Sequence, residues 1–315
     1  AAHLFDPRPA YRFRSTADGH ETPEGSDVIG QNPPYGADLD FWLADATADS
    51  VTLRITDADG DTVRTLHAQG KAGINRVWWD LRYESARKVH FLRPPPDAPW
   101  ADPRREYSAY GIDAPEPGPI VVPGTYTVTL SAAGHEETGT LQVKADPGSQ
   151  GTPSSIQAQV SFLLGVRAEI DSVADMIDHI ERTRRQVEDL VPLLRERGGE
   201  DTSLVASAHA LERKAVAVES RLIDVRTTGR SEDIFWHSMK LYGRLQWMIT
   251  EMDGRAGGGS GGADRGPTDQ QKAVNEQFRK EIADVRGDFQ ALVGQATPAF
   301  DAELAKAGLK ASIEP

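Results

Sequence analysis

The chain has 315 residues and a formal charge of -13, from 48 acidic and 35 basic residues. That length gives room for two domains that each bury a core, and the negative balance argues against nucleic acid, whose binders need a positive footprint. With no cysteine, disulfides, zinc-thiolate centres and a cysteine nucleophile are excluded, and no apolar run approaches the roughly 18 residues that span a bilayer.

The first residues, AAHLFDPRPAYRF, lack the basic, apolar, small-residue order of a signal peptide and read as a linker cut from a longer chain. Residues 1–34 are rich in Pro, Gly, Asp and Thr and are expected to form an extended arm, with only Tyr11 to Phe13 suited to a short strand. Asn32-Pro33-Pro34-Tyr35-Gly36 is a rigid turn, because proline fixes φ and restricts the residue before it.

Residues 35–147 carry strand periodicity. Leu39, Phe41 and Leu43 alternate with Asp38, Asp40 and Trp42, which predicts a first full strand over 37–43 with both aspartates facing solvent. Val51, Leu53 and Ile55 alternate with Thr52, Arg54 and Thr56. Asp59-Gly60 is a tight turn, and residues 62–66 complete a hairpin. Further strands are predicted over 75–81, with Trp78 and Trp79 on opposite faces, over 124–130 and over 138–143. Short alternating strands with turn signals between them point to a β-sandwich.

An insertion over 83–120 interrupts the pattern. It holds Pro94-Pro95-Pro96, Phe91, Trp100, Tyr107 and Tyr110, and is too proline-rich for a helix or a central strand. Long structured loops of this kind are more often functional or interface-forming. Its four aromatics are candidates for stacking on a sugar, or for pinning the loop to a neighbouring surface.

Past Asp146-Pro147-Gly148 the period changes from two to about three and a half. Four amphipathic helices are predicted within 154–310. The first runs from a cap at Ser154 or Ser155 to Gly198-Gly199, and the second over 202–226. The third, over 232–252, carries Ile234, Phe235, Leu241, Tyr242, Leu245, Met248 and Met252 on its stripe. The fourth is capped by Thr268 and carries Val274, Phe278, Ile282, Val285, Phe289 and Leu292. Residues 254–267 read as a flexible Gly-rich loop without the Gly-Lys-Ser/Thr ending of a phosphate loop. Such helices are expected to pack as an antiparallel four-helix bundle. Trp236, Tyr242 and Trp247 crowd the third helix more than a seam requires, which makes them interface candidates.

The pieces VTLRITDADGDTVRTL, the run Gly73, Asn75, Trp79, Asp80, and Pro123-Gly124-Thr125-Tyr126 together resemble the immunoglobulin-like module first described in the flagellar hook-capping protein. That module also occurs near the C-terminus of large exported β-propeller proteins with sortilin-like or BNR-type repeats, often labelled glycosyl hydrolases. A stretch similar to GQNPPYGADLDFWL precedes it there. A helical region follows, with a segment like YGRLQWM, then Gly266-Pro267-Thr268 and a last long helix. The resemblance covers about Asp6 to the end and lacks the propeller. It implies an exported, periplasmic or extracellular location and the chain's own propeller domains as partners.

No reactive constellation is legible. Asp57, Asp59 and Asp61 are weak metal candidates, since a calcium loop needs more oxygen ligands and a closing Glu, and a β-turn suits them better. The eight histidines form no metal-binding pair, Asp175 and His179 read as a surface contact, and no Gly-x-Ser-x-Gly elbow occurs. No cofactor is expected. The first expectation is a non-catalytic scaffold or interaction region of an exported β-propeller protein. The second is a part that completes the active site of a glycoside-hydrolase-like enzyme, and the third is carbohydrate binding through the aromatics of the insertion.

Overall fold

The computed structural model describes residues 1–13, 34–105, 107, 118–198, 202–230, 233–253, 263–309 and 311–313. They form a mixed, curled β region, a half-barrel, followed by a region rich in helices. The strands are β1 (Ala2–Leu4), β2 (Ala10–Arg12), β3 (Ala37–Leu43), β4 (Thr47–Thr56), β5 (Thr62–Gly70), β6 (Gly73–Trp79), β7 (Gly124–Ala132) and β8 (His135–Ala145). They pair as a three-stranded sheet, β1-β3-β6, and a five-stranded sheet, β2-β8-β7-β4-β5. All pairings are antiparallel except β2 with β8. The alternation in the sequence sets the faces: Leu39, Phe41 and Leu43 of one sheet and Val51, Leu53, Ile55, Val128 and Leu130 of the other share one buried cluster.

Trp79 and Tyr126 meet edge to face in this core, with ring centroids 5.4 Å apart. Each buried ring finds a partner for its polar end: the Trp79 indole donates to the Arg82 carbonyl at 2.9 Å and the Tyr126 hydroxyl to the Val122 carbonyl at 2.7 Å. Strand β6 stops at Trp79 rather than at Leu81, because Leu81 takes a left-handed backbone (φ 57°) that cannot continue a ladder. The short strand expected at Tyr11 to Phe13 lies one residue earlier, and β1 carries no alternation long enough to read.

Asp38 and Asp40 do not simply face solvent. Arg76 donates to both oxygens of Asp40 at 2.7 Å, and Asp38, largely covered, pairs with Arg8 and Arg76. The arginine hydrogen bonds hold the Asp40 carboxyl below the usual carboxylate range.

The helices are α1 (Pro153–Gly198), α2 (Ser203–Leu222), α3 (Asp233–Trp236), α4 (Leu241–Asp253), α5 (Asp269–Ala291) and α6 (Thr297–Lys306), with a π-turn, Leu292–Ala296, joining the last two. None of those described is long and apolar enough to cross a membrane. The Thr152 hydroxyl, not Ser154 or Ser155, caps α1 by accepting from Ser155 N at 3.2 Å, and Pro153 sits in the first turn where its missing N–H costs nothing. Helix α2 ends at Leu222, four residues before the expected end, because Ile223 is extended (φ -145°, ψ 152°).

The expected third helix is two. Phe235 and Trp236 point outward, so the buried stripe that a helix in water depends on is interrupted and resumes only at Leu241, Tyr242 and Leu245. The expected Thr268 cap of α5 forms and is a full capping box, with Gln271 N donating to the Thr268 hydroxyl at 3.2 Å and Thr268 N to the Gln271 side chain at 2.8 Å. The stripe runs on past Leu292 to Phe300 and Leu304. Pro298, which has no N–H to give to Gly294, falls just after the π-turn.

The chain divides into two compact units. The first comprises Ala1–Ser85, Glu116–Gly165 and Ile249–Pro267; the second comprises Ala86–Pro115, Val166–Met248 and Thr268–Pro315. The strand pattern ends and a helix begins near residue 150, yet the start of α1 and the end of α4 belong to the β unit, while most of the insertion belongs to the helical unit. Of the Gly-rich loop, residues 254–262 lie outside those described.

Gly36 tests this packing. It sits at φ 128°, and a Cβ there would lie 2.0 Å from the Trp79 carbonyl oxygen. Gly36→Ala should cost at least about 3 kcal/mol in urea unfolding followed by tryptophan fluorescence. Gly60→Ala, at φ 86° but in open space, should cost only about 1–2 kcal/mol.

Candidate interaction site

In the helical unit, the insertion is fastened to α1 and α2 by hydrogen bonds and ion pairs. Arg87 N donates to Asp171 at 2.7 Å, and the Arg87 side chain pairs with Asp175. Leu92 N donates to Glu181 at 2.6 Å. Arg93 pairs with Glu212 at 2.8 Å. Arg105 donates to the carbonyls of Thr227 and Arg93, both at 2.6 Å, and lies over the Phe91 ring at 4.1 Å. Burial pulls Arg105 down to about 10, which still leaves it a cation at neutral pH.

These contacts scatter the aromatics of the insertion. Phe91 is buried beneath Arg105. Tyr107 is half-buried against Tyr242, ring centroids 5.5 Å apart, and the Tyr242 hydroxyl donates to the Arg87 carbonyl at 2.7 Å. Trp100 is 66% exposed, with the Arg230 guanidinium over its ring at 4.9 Å. Tyr110 lies outside the described residues. Of the three described, Trp100 is therefore the one that faces solvent.

The other three candidates divide similarly. Tyr242 is fully buried, Trp247 is 38% exposed, and Trp236 is 78% exposed. Beside Trp236 stands Phe235 at 80%, a residue that helical periodicity places on the core stripe. Nothing in its spacing could have revealed the break in the helix. A signal was available one step earlier, in Thr228-Gly229 followed by Asp233. The Asp233 carboxylate accepts from Thr228 N at 2.7 Å, the Thr228 hydroxyl at 2.9 Å, Gly229 N at 2.8 Å and Arg230 N at 3.2 Å. A carboxylate spent on four donors fixes the turn that precedes Phe235 and Trp236. Arg230, in that turn, is the cation stacked on Trp100.

The helical unit also holds a buried charge cluster. Arg184 donates to Glu212 at 3.0 Å and to Glu181 at 3.3 Å, and also bonds Glu219. Burial, then the neighbouring Glu181, raises Glu219 well above the usual carboxylate range. Glu219 is wholly inaccessible to solvent, so it binds helices together rather than meeting a substrate.

Elsewhere in the helical unit, an open groove of about 760 Å³ is lined by Arg87, Asp171, Asp175, His179, Arg286 and Phe289 among others. Several of its polar groups already have partners. Asp175 is taken by Arg87, Arg286 donates to Ser172 at 2.6 Å, and His179 meets Phe289 edge to face. Burial, then Arg182, lowers the His179 imidazole below its ordinary value. In the β unit, Asp57 accepts from Asp59 N at 3.1 Å and Asp61 N at 2.9 Å, closing a β-turn. Among the described residues no group of three or more acidic or histidine side chains is placed to hold a metal ion.

The Asp233 turn predicts a separable effect. Asp233→Ala removes the acceptor of four hydrogen bonds and should unprotect the amides of Thr228, Gly229 and Arg230 in hydrogen exchange, corresponding to a local loss of about 1–3 kcal/mol. Amides of α1 should keep their protection.

No protein-family model matches the chain, and no curated protein or solved structure matches it either.

Proposed function

We propose that this chain is a non-catalytic scaffold or interaction region of an exported β-propeller protein, built from an immunoglobulin-like sandwich and an antiparallel four-helix bundle. On this reading Phe235, Trp236 and Trp100 form the contact surface. The observation that carries it is the exposure of Phe235 and Trp236, 80% and 78%, on a four-residue helix held by the Asp233 turn. Two adjacent large aromatics in water forgo roughly 1.5–3 kcal/mol each of burial. A fixed backbone that presents them to solvent suits a partner surface, where Trp and aromatic anchors concentrate. The sandwich reading is supported by two sheets sharing one core, and the bundle reading by the apolar stripes of α1, α2, α4 and α5.

The partner of this reading is the propeller to which the resemblance points. Phe235→Ala and Trp236→Ala should each weaken binding of the full chain to separately produced propeller domains by at least about 2 kcal/mol in calorimetry. Both should leave stability within about 0.5 kcal/mol, because neither side chain is packed. Undiminished affinity in both variants would overturn the assignment.

A second reading, carbohydrate binding, rests on Trp100, whose ring is 66% exposed. Trp100→Ala is the clean variant, since Tyr107 also packs against Tyr242 and its loss would disturb the fold. If a glycan stacks there, affinity electrophoresis in polysaccharide gels should show retardation that vanishes in Trp100→Ala. Equal migration of both proteins, with or without polysaccharide, removes this reading.

A further inference from the structure

Glu219 on α2 has one oxygen bonded to Arg184, while its other oxygen, Oε1, is buried and no hydrogen-bond donor of the protein reaches it. A carboxylate oxygen in that state leaves charge uncompensated in a medium of low polarity. Its neighbour from α1, Glu181, is supplied differently. Glu181 Oε2 accepts from Leu92 N at 2.6 Å, and Oε1 accepts from Arg184 at 3.3 Å with Arg93 at 3.6 Å. Glu181 is therefore the better-solvated carboxylate and the acceptor to which a proton on Glu219 would point.

Three groups of charge face this pair. Helix α1 contributes Arg184 beside Glu181, and α2 contributes Glu212, whose Oε1 takes both Arg93 and Arg184. The insertion contributes Arg93 and Arg105, but Arg105 gives its hydrogen bonds to the carbonyls of Arg93, Val225 and Thr227. Two guanidiniums are thus in contact with three carboxylates. Glu212 also has a buried oxygen, Oε2, without a donor, but its side chain is 24% exposed and its Oε1 takes both arginines, whereas Glu219 has no contact with solvent. The excess negative charge falls on the Glu181–Glu219 pair, which is sealed.

We propose that Glu219 is a neutral carboxylic acid at neutral pH, donating its proton from Oε1 to Glu181, and that this shared proton is a pH-operated latch holding the Leu92–Arg93 segment against α1 and α2. Losing the proton leaves two buried anions side by side. Their repulsion is relieved when Glu181 turns toward solvent, which releases the Leu92 amide. The sign follows from linkage: a carboxyl that is more basic when folded lends stability that is lost as pH rises above the ordinary glutamate range. The latch is closed in mild acid and opens in base.

The test uses the full chain and hydrogen exchange at the Leu92 amide, corrected for the intrinsic rate, at about pH 6 and about pH 9. Protection in the wild type should fall roughly tenfold or more across this interval. Glu219→Gln keeps the shape and a donor facing Glu181 but cannot ionise, so its protection should stay level. Equal protection of the wild type at both pH values, or a parallel fall in the variant, would overturn the latch. Infrared spectroscopy of the wild type alone decides the protonation, whether or not the variant folds. A protonated-carboxyl carbonyl band should be present at neutral pH, when surface carboxylates are ionised, and vanish in base. Its absence at neutral pH refutes the proposal.

Discussion

The helical unit depends on the need to satisfy Arg184, a guanidinium that is almost wholly removed from water. Desolvating such a cation costs several kcal/mol, repaid only if carboxylates and hydrogen bonds surround it. Arg184 meets the requirement with Glu181 from its own helix and Glu212 and Glu219 from α2. Because Arg93 shares Glu181 and Glu212, the same cluster recruits the insertion. The register of α1 against α2 and the course of residues 87–105 are thus one electrostatic solution. Apolar stripes alone tolerate sliding by a turn; a charge cluster of this kind does not.

The β unit uses the same device to gather distant segments. Arg12, on β2, donates to the Val121 carbonyl at 2.8 Å and pairs with Asp264, and both charged side chains are buried. Arg82, just beyond β6, donates to the Gly118 carbonyl at 2.9 Å and pairs with Asp253, again buried. Residues near 253 and 264 belong to this unit because a buried arginine waits for each aspartate. Removing one partner of such a pair typically costs about 3–5 kcal/mol, since it strands the other charge. The pairs therefore specify which piece of chain closes the unit, while Trp79, Tyr126 and their aliphatic neighbours supply the bulk of the burial.

With Phe91, Tyr107 and Tyr242 committed to holding the insertion and α4 in place, the most exposed aromatics among the described residues of the helical unit are Phe235, Trp236 and Trp100. Arg230, whose amide donates to the Asp233 carboxylate, also stacks on Trp100. An exposed aromatic on a fixed turn loses little conformational entropy on binding, which is what a contact surface needs.

The strand periodicity of residues 37–143, the turn at Asp59-Gly60, the long helix after Pro153 and the Thr268 cap were all legible in the sequence, because each arises from local sterics or from a repeat that matches one element. The split of the third helix, the positive φ of Leu81 and the outward turn of Phe235 were not. Periodicity shows which residues could share a face, and only packing decides whether that face is covered. The insertion carried the same ambiguity: its four aromatics looked equivalent in sequence, and tertiary contacts with Arg105, Tyr242 and Arg230 gave three of them different surroundings. Least legible of all was the buried charge cluster. Arg93, Glu181, Arg184, Glu212 and Glu219 look like ordinary solvated residues in a chain rich in both charges. Their pairing follows from burial, which depends on residues more than 100 positions apart in the sequence and is settled only when the chain has folded.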